Sequence, residues 1–135
     1  MAKYVFPAVL IPESSGMYSV IFPDIEGCCT QGDDFAEAVY MAGDALALML
    51  TNLEDDGDPI PSPSPVDKVS HRTGEIVTLV YADTVRYRKL YNSKSVTCAV
   101  TLPTWLKTMA QDADINFSQA LQEALKTKLH ISDGL

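Results

Sequence analysis

The sequence predicts an α+β protein built from two parts. Two strand-like runs separated by a short polar loop, residues 4–11 and 17–22, predict a β-hairpin, and the apolar residues after it recur at helical spacing. Near the C-terminus, one run of alternating apolar and small residues precedes two helical segments. At 135 residues the chain suits one ordinary domain, or a domain of about ninety residues plus a short module that needs a partner.

Composition predicts a protein that folds in water. Hydrophobic residues make up 47% of the chain, but no apolar run approaches the length of a membrane span. The N-terminus has one lysine and an apolar run broken by Pro7 and Pro12, so we expect no signal peptide. Three cysteines, two of them adjacent, do not suggest a disulfide framework. We therefore expect reduced thiols and a cytoplasmic location.

The net negative charge of the chain comes entirely from its N-terminal part. Residues 1–93 carry six Lys/Arg against fourteen Asp/Glu, a net charge of −8, whereas residues 94–135 carry four of each. An acidic surface repels phosphate backbones and attracts basic proteins. Any contact with nucleic acid is therefore expected from the C-terminal third.

Helix and strand signals continue after the hairpin. Asp34 and Glu37 form a D-x-x-E capping box, which begins a helix with one apolar face over residues 35–53. Prolines at every second position from 59 to 65 predict an extended connector, not packed structure, over residues 54–74. Residues 75–82 are rich in β-branched side chains and predict a buried strand, followed by a short helix capped by Asp83.

The C-terminal segment predicts a strand and two helices. Apolar and small residues alternate over residues 95–102, and Pro103 suits the first turn of a helix. Asn116, with Gln119 three positions later, predicts the start of the second helix.

One strand and two short helices, about 35 residues, cannot bury enough apolar surface alone, so we expect this unit to dimerise. Two copies of the strand would form an antiparallel ribbon with four helices behind it. A higher oligomer is left open. The residues expected in the dimer core are Val96, Cys98, Val100, Leu102, Leu106, Phe117 and Leu121.

The run "VTCAVTLPTWLK", followed by a helix that opens "NFSQALQEALK", resembles the ribbon-helix-helix DNA-binding domain. The resemblance implies that the ribbon enters the major groove and that the start of the second helix holds a phosphate. The DNA-contacting residues would be Lys94, Thr97, Ala99, Thr101, Asn116 and Ser118. The groove-facing strand has no cation beyond Lys94, unlike its relatives, so operator binding stays open.

The N-terminal part resembles the HicB antitoxin family through "YSVIFPDIEGCCTQGDDFAEA". The resemblance implies a partial RNase H-like domain, residues 1–92, that neutralises a small basic HicA-type toxin, an mRNA-cleaving RNase. The ribbon-helix-helix domain, residues 93–135, would dimerise and repress the operon.

A catalytic interpretation of the same stretch is weaker. A nucleophilic Cys28 or Cys29 would need a nearby base, yet the only histidines are His71, in the connector, and His130, near the C-terminus. Two-metal chemistry would need several converging carboxylates, and only Asp24 and Asp83 are candidates. We therefore expect no catalytic residue, no metal and no cofactor.

The surplus of acidic residues predicts the toxin-binding surface. The candidates are Asp24, Glu26, Glu54, Asp55, Asp56 and Asp58. A solvated acidic linker explains the same residues equally well. Two other functions also remain open: an orphan ribbon-helix-helix regulator without a toxin, and a small enzyme or nuclease remnant.

Overall fold

The computed structural model describes residues 2–131, which form two compact units that meet between Ser93 and Lys94 in the sequence. The first unit comprises β1 (Lys3–Pro12), β2 (Tyr18–Ile21), β3 (Cys29–Gly32), α1 (Phe35–Asp56), β4 (Ile76–Asp83) and α2 (Thr84–Tyr91). The second comprises α3 (Thr104–Asp112) and α4 (Phe117–Lys128). The predicted α+β class is confirmed. No helix within the described residues is both long and apolar enough to cross a membrane.

The sheet has the strand order β3-β2-β1-β4 and is antiparallel throughout. The predicted hairpin is confirmed as β1 and β2, with Val9 opposite Ile21. On its other side, β1 pairs with β4 over eight residues. The strand β3 was not predicted, because its four residues lie in the stretch that was interpreted as a turn before the helix.

The core lies between one face of the sheet and α1. Phe6, Ala8 and Leu10 of β1 are buried against α1 residues such as Leu46 and Leu50. The predicted α1 is confirmed and extends three residues beyond position 53, to Asp56. It begins as its capping box predicts, with the Asp34 carboxylate accepting a hydrogen bond from the Glu37 N–H at 2.8 Å.

The prediction that the strand at 75–82 is buried was wrong for one of its faces. In β4, Val80 and Ala82 pack into the core, while Leu79 and Tyr81 are 57% and 52% exposed. A continuous apolar run shows that a strand is favourable but cannot show whether one face or both are covered.

The proline-rich connector is extended, as predicted, but it also packs against the domain. Val69 is buried, and Ile60 packs against the core cluster. A short 3₁₀ turn, Val66–Lys68, follows the prolines. The expectation of an unpacked connector was therefore wrong, because its few apolar side chains find cover on the first unit.

In the second unit, α3 and α4 confirm the two predicted helices. Asn116 caps α4 by accepting a hydrogen bond from the Gln119 N–H at 3.1 Å. Residues 93–103 form no strand in the single chain, where the predicted ribbon has no second strand to pair with. No residue from 94 to 131 is buried. The ribbon-helix-helix arrangement therefore stays a prediction, and residues 132–135 of its expected range lie outside the described residues.

Two buried threonines of the first unit differ in how their hydroxyls are satisfied. Within the described residues, the Thr51 Oγ1 is buried without a hydrogen-bond partner, whereas the Thr84 Oγ1 accepts from the Ala2 N–H at 2.9 Å. We expect Thr51→Val to leave stability unchanged or raise it by about 1 kcal/mol, and Thr84→Val to lower it by about 1–3 kcal/mol. Urea denaturation of both variants measures the difference, and equal losses would contradict it.

Candidate functional site

An acidic segment covers the last residues of α1 and the first residues after it. Asp55, Asp56 and Asp58 are exposed, and Gly57 ends the helix between them. Carboxylates at a helix C-terminus oppose the helix dipole, so their position is not explained by the stability of α1. Asp55 is also held in place, because its carboxylate lies 2.8 Å from Arg88 Nη1.

Glu54, immediately before this segment, has a different environment. Its side chain is only 9% exposed. Its Oε2 accepts a hydrogen bond from the Tyr4 hydroxyl at 2.7 Å and lies 3.0 Å from Thr84 Oγ1. Its Oε1 accepts from Arg88 Nη2 at 3.1 Å. The carboxylate therefore joins β1, α1 and the start of α2.

Electrostatics support an ionised Glu54. Burial alone would raise the pKa of Glu54, but hydrogen bonds to its carboxylate, among them those from Tyr4, Arg88 and Thr84, lower it to about 2. Burial, together with the neighbouring Glu54 charge, raises the pKa of Tyr4 to about 12. Glu54 thus fixes the end of α1, and with it the direction of the acidic segment, instead of presenting its charge at the surface.

The other predicted acidic pair lies in the loop between β2 and β3. The Asp24 carboxylate accepts two hydrogen bonds from Ser64, from its N–H at 2.8 Å and from its hydroxyl at 2.6 Å. Asp24 therefore fastens the connector to the loop, while Glu26 is exposed. The sequence did not indicate this contact, because the two residues are 40 positions apart.

The adjacent cysteines have different environments, and only Cys28 is buried. Cys28 is 3% exposed, and burial, with a smaller contribution from Cys29, raises its pKa to about 11, so its thiol stays protonated at neutral pH. Cys29 is exposed. Among residues 2–131, no three His, Cys, Asp or Glu side chains are grouped so that they could hold a metal ion.

The predicted DNA-contacting residues lie in two parts of the second unit. Lys94, Thr97, Ala99 and Thr101 belong to the exposed segment before α3, which has no regular secondary structure, and Asn116 and Ser118 lie at the start of α4. The apolar residues of the predicted dimer core are also uncovered. Val96 is 85% exposed, and Leu106, Phe117 and Leu121 are 36–40% exposed.

The first unit is an acidic α+β domain, and the described helices of the second unit have uncovered apolar faces, which are typical of protein interaction surfaces. A family model described as the HicB-like antitoxin of bacterial toxin-antitoxin systems matches residues 6–125. The chain belongs to this family. The resemblance noted from "YSVIFPDIEGCCTQGDDFAEA" is thereby confirmed.

Individual relatives agree with this assignment. Antitoxin HicB 1 of Photorhabdus laumondii subsp. laumondii is 44% identical over 61 residues, 45% of this chain and 39% of the relative. Antitoxin HicB of Escherichia coli (strain K12) is 39% identical over 66 residues, 49% of this chain and 48% of the relative. The chain thus spans less than half the length of either. A solved HicA3 and HicB3 toxin-antitoxin complex is similar with 28% identity and a TM-score of 0.50, over 59% of this chain and 99% of the other.

Proposed function

We propose that the first unit binds and blocks a small, basic, mRNA-cleaving toxin of the HicA type. The observation that carries the proposal is the exposed acidic segment, Asp55 to Asp58, held at the end of α1 by the partly buried contacts of Arg88 with Glu54 and Asp55. Membership of the HicB-like antitoxin family and similarity to a HicA3 and HicB3 complex support it.

The inhibition is steric and electrostatic. An RNase must carry positive charge where it binds RNA, and the first unit, with a net charge of −8 over residues 1–93, is complementary to such a surface. Complementary charge mainly speeds association, and the covered surface then excludes RNA. The protein itself performs no chemistry in this mechanism.

The contribution of the acidic segment is testable by charge reversal. We expect Asp56→Lys with Asp58→Lys to weaken toxin binding by about tenfold or more, mostly through a slower association rate that depends on salt. Surface plasmon resonance against the purified toxin at two salt concentrations measures both rates.

The matched control reverses two exposed carboxylates elsewhere in the first unit, Asp33→Lys with Asp67→Lys, for the same change in net charge. We expect it to change the affinity by less than about threefold. Equal losses in the two double variants would mean that total charge, and not the acidic segment, attracts the toxin.

We further propose that the second unit dimerises with a second copy, which pairs the 95–102 segments as a ribbon and covers the apolar faces of α3 and α4. The exposure of those faces in the single chain supports this proposal, since none of residues 94–131 is buried. The ribbon would bind the operator and repress the operon. Without a toxin partner, the same module would serve an orphan regulator.

Operator binding is testable at Lys94, the cation at the start of the segment. If it contacts a phosphate in each half of a dimer, Lys94→Ala should weaken binding to the promoter of the protein's own operon. The slope of log affinity against log salt should also fall, by about one per lost contact. Fluorescence anisotropy at several salt concentrations measures it, with Lys128→Ala as the control. An unchanged slope would show that Lys94 does not contact a DNA phosphate.

A further inference from the structure

Helix α1 has a second side, which faces away from the core. Its buried side, with residues such as Ala42, Leu46 and Leu50, packs into the core of the first unit. The opposite side carries residues that follow one another at intervals of three or four positions, so they lie in one row along the helix. This row is the outer face of α1, and its residues are Glu37, Met41, Asp44, Ala45, Leu48, Asn52 and Asp55.

The middle of the outer face is apolar. Leu48 is 46% exposed and Met41 is half-buried, and neither is part of the buried core. A helix at the surface of a domain ordinarily carries polar or charged residues on the side that meets water. The packing of the first unit therefore does not explain Met41 and Leu48, and neighbouring exposed apolar residues of this kind are typical of a contact with another protein.

The charge on α1 is entirely negative. The helix contains no lysine or arginine, and its acidic residues are Glu37, Asp44, Glu54, Asp55 and Asp56. At the C-terminal end, Arg88 of α2 neutralises part of this charge through its contacts with Glu54 and Asp55. The outer face is thus an apolar centre with net negative charge at both ends. Such a surface is complementary to an apolar patch that is surrounded by basic residues.

We propose that the outer face of α1 is the central contact surface for the toxin, where Met41 and Leu48 meet apolar side chains and the acidic ends meet basic ones. The inference rests on the proposed function and extends its site, because the acidic segment, Asp55 to Asp58, begins on this same face. From Glu37 to Asp55 the face is about 27 Å long, the scale of an interface that covers roughly 800 Å² on each partner. The acidic ends speed the formation of the complex, and the apolar centre lengthens its lifetime.

The test removes an apolar side chain from the outer face without changing the charge. We expect Leu48→Ala to weaken toxin binding by about tenfold, through a faster dissociation rate that does not depend on salt. Ile21→Ala is the matched control, because Ile21 is 43% exposed but lies on β2 and not on α1. It should keep the affinity within about twofold. Surface plasmon resonance of the full-length variants against the purified toxin measures both rates.

A second variant keeps the test decisive if circular dichroism shows that Leu48→Ala is unfolded. Asn52→Lys changes an exposed polar residue of the outer face and places a cation where the toxin carries its own. Lysine is a good helix former, so α1 should persist. We expect this variant to bind the toxin about tenfold more weakly, and less so at high salt.

The outcomes separate this inference from the proposed function. If the wild type binds the toxin and both α1 variants bind it equally well, the inference is overturned and the proposed function stands. A wild-type chain that does not bind the toxin overturns both. If Leu48→Ala keeps its toxin affinity but changes the molar mass of the chain in light scattering, the outer face contacts a second copy, and the inference is again overturned.

Discussion

Gly32→Ala is expected to destabilise the first unit by about 4 kcal/mol or more, enough to prevent folding of many small domains. A Cβ atom at this position would lie 2.6 Å from the Ala38 Cα and 2.8 Å from the Glu37 carbonyl carbon. These are backbone atoms of α1, so no side-chain movement relieves the overlap, and β3 would have to separate from the helix. Urea denaturation followed by circular dichroism measures the loss.

Gly27→Ala is the control for this prediction. Gly27 has a φ of +78°, which favours glycine, but a Cβ atom there would meet nothing within 4 Å. We expect a loss of only about 1 kcal/mol, from backbone strain alone. Comparable losses at Gly27 and Gly32 would show that the close approach of β3 to α1 is not what constrains the sequence.

Arg88→Met is expected to lower the free energy of unfolding by about 2 kcal/mol, because it removes a charged hydrogen-bond donor from the partly buried Glu54 carboxylate. It also releases Asp55 from its ion pair at the start of the acidic segment. Arg86→Met, which removes an exposed cation from the same helix, should change stability by less than about 0.5 kcal/mol. Similar effects of the two substitutions would contradict a specific role for Glu54–Arg88.

The same contact predicts how stability depends on pH. The pKa of Glu54 is lowered from 4.5 to about 2, so its ionised form stabilises the fold above pH 4.5, and that contribution is lost as the pH falls towards 2. In Arg88→Met the pKa should move back towards its ordinary value and the pH dependence should weaken. Denaturation at a series of pH values measures both. If stability depends on pH in the same way in Arg88→Met as in the wild type, Arg88 does not lower the pKa of Glu54.

Local signals were sufficient to predict most of the elements. The helix α1 was predicted by its apolar spacing and by the Asp34 cap, and α4 by the Asn116 cap. The strand β3 was missed because four residues carry little periodicity, and its stability comes from pairing with β2. The exposed side of β4 was missed for a related reason, since burial depends on which elements pack against the strand.

The candidate site was predicted in composition but not in arrangement. The excess of carboxylates is visible in the sequence. The sequence does not show which carboxylates make internal contacts and which are exposed. Glu54 meets Tyr4 across 50 positions and Thr84 across 30. Such contacts depend on the folded sheet, so the sequence cannot separate a buried structural carboxylate from the exposed Asp56 and Asp58 beside it.

The most direct test of the proposed function is an RNA-cleavage assay with a HicA-type toxin encoded beside this chain. The purified full chain, added in increasing amounts, should abolish cleavage at a fixed stoichiometric ratio, and the Asp56→Lys, Asp58→Lys variant should require a higher concentration. Full cleavage in the presence of excess wild-type protein would contradict the antitoxin function.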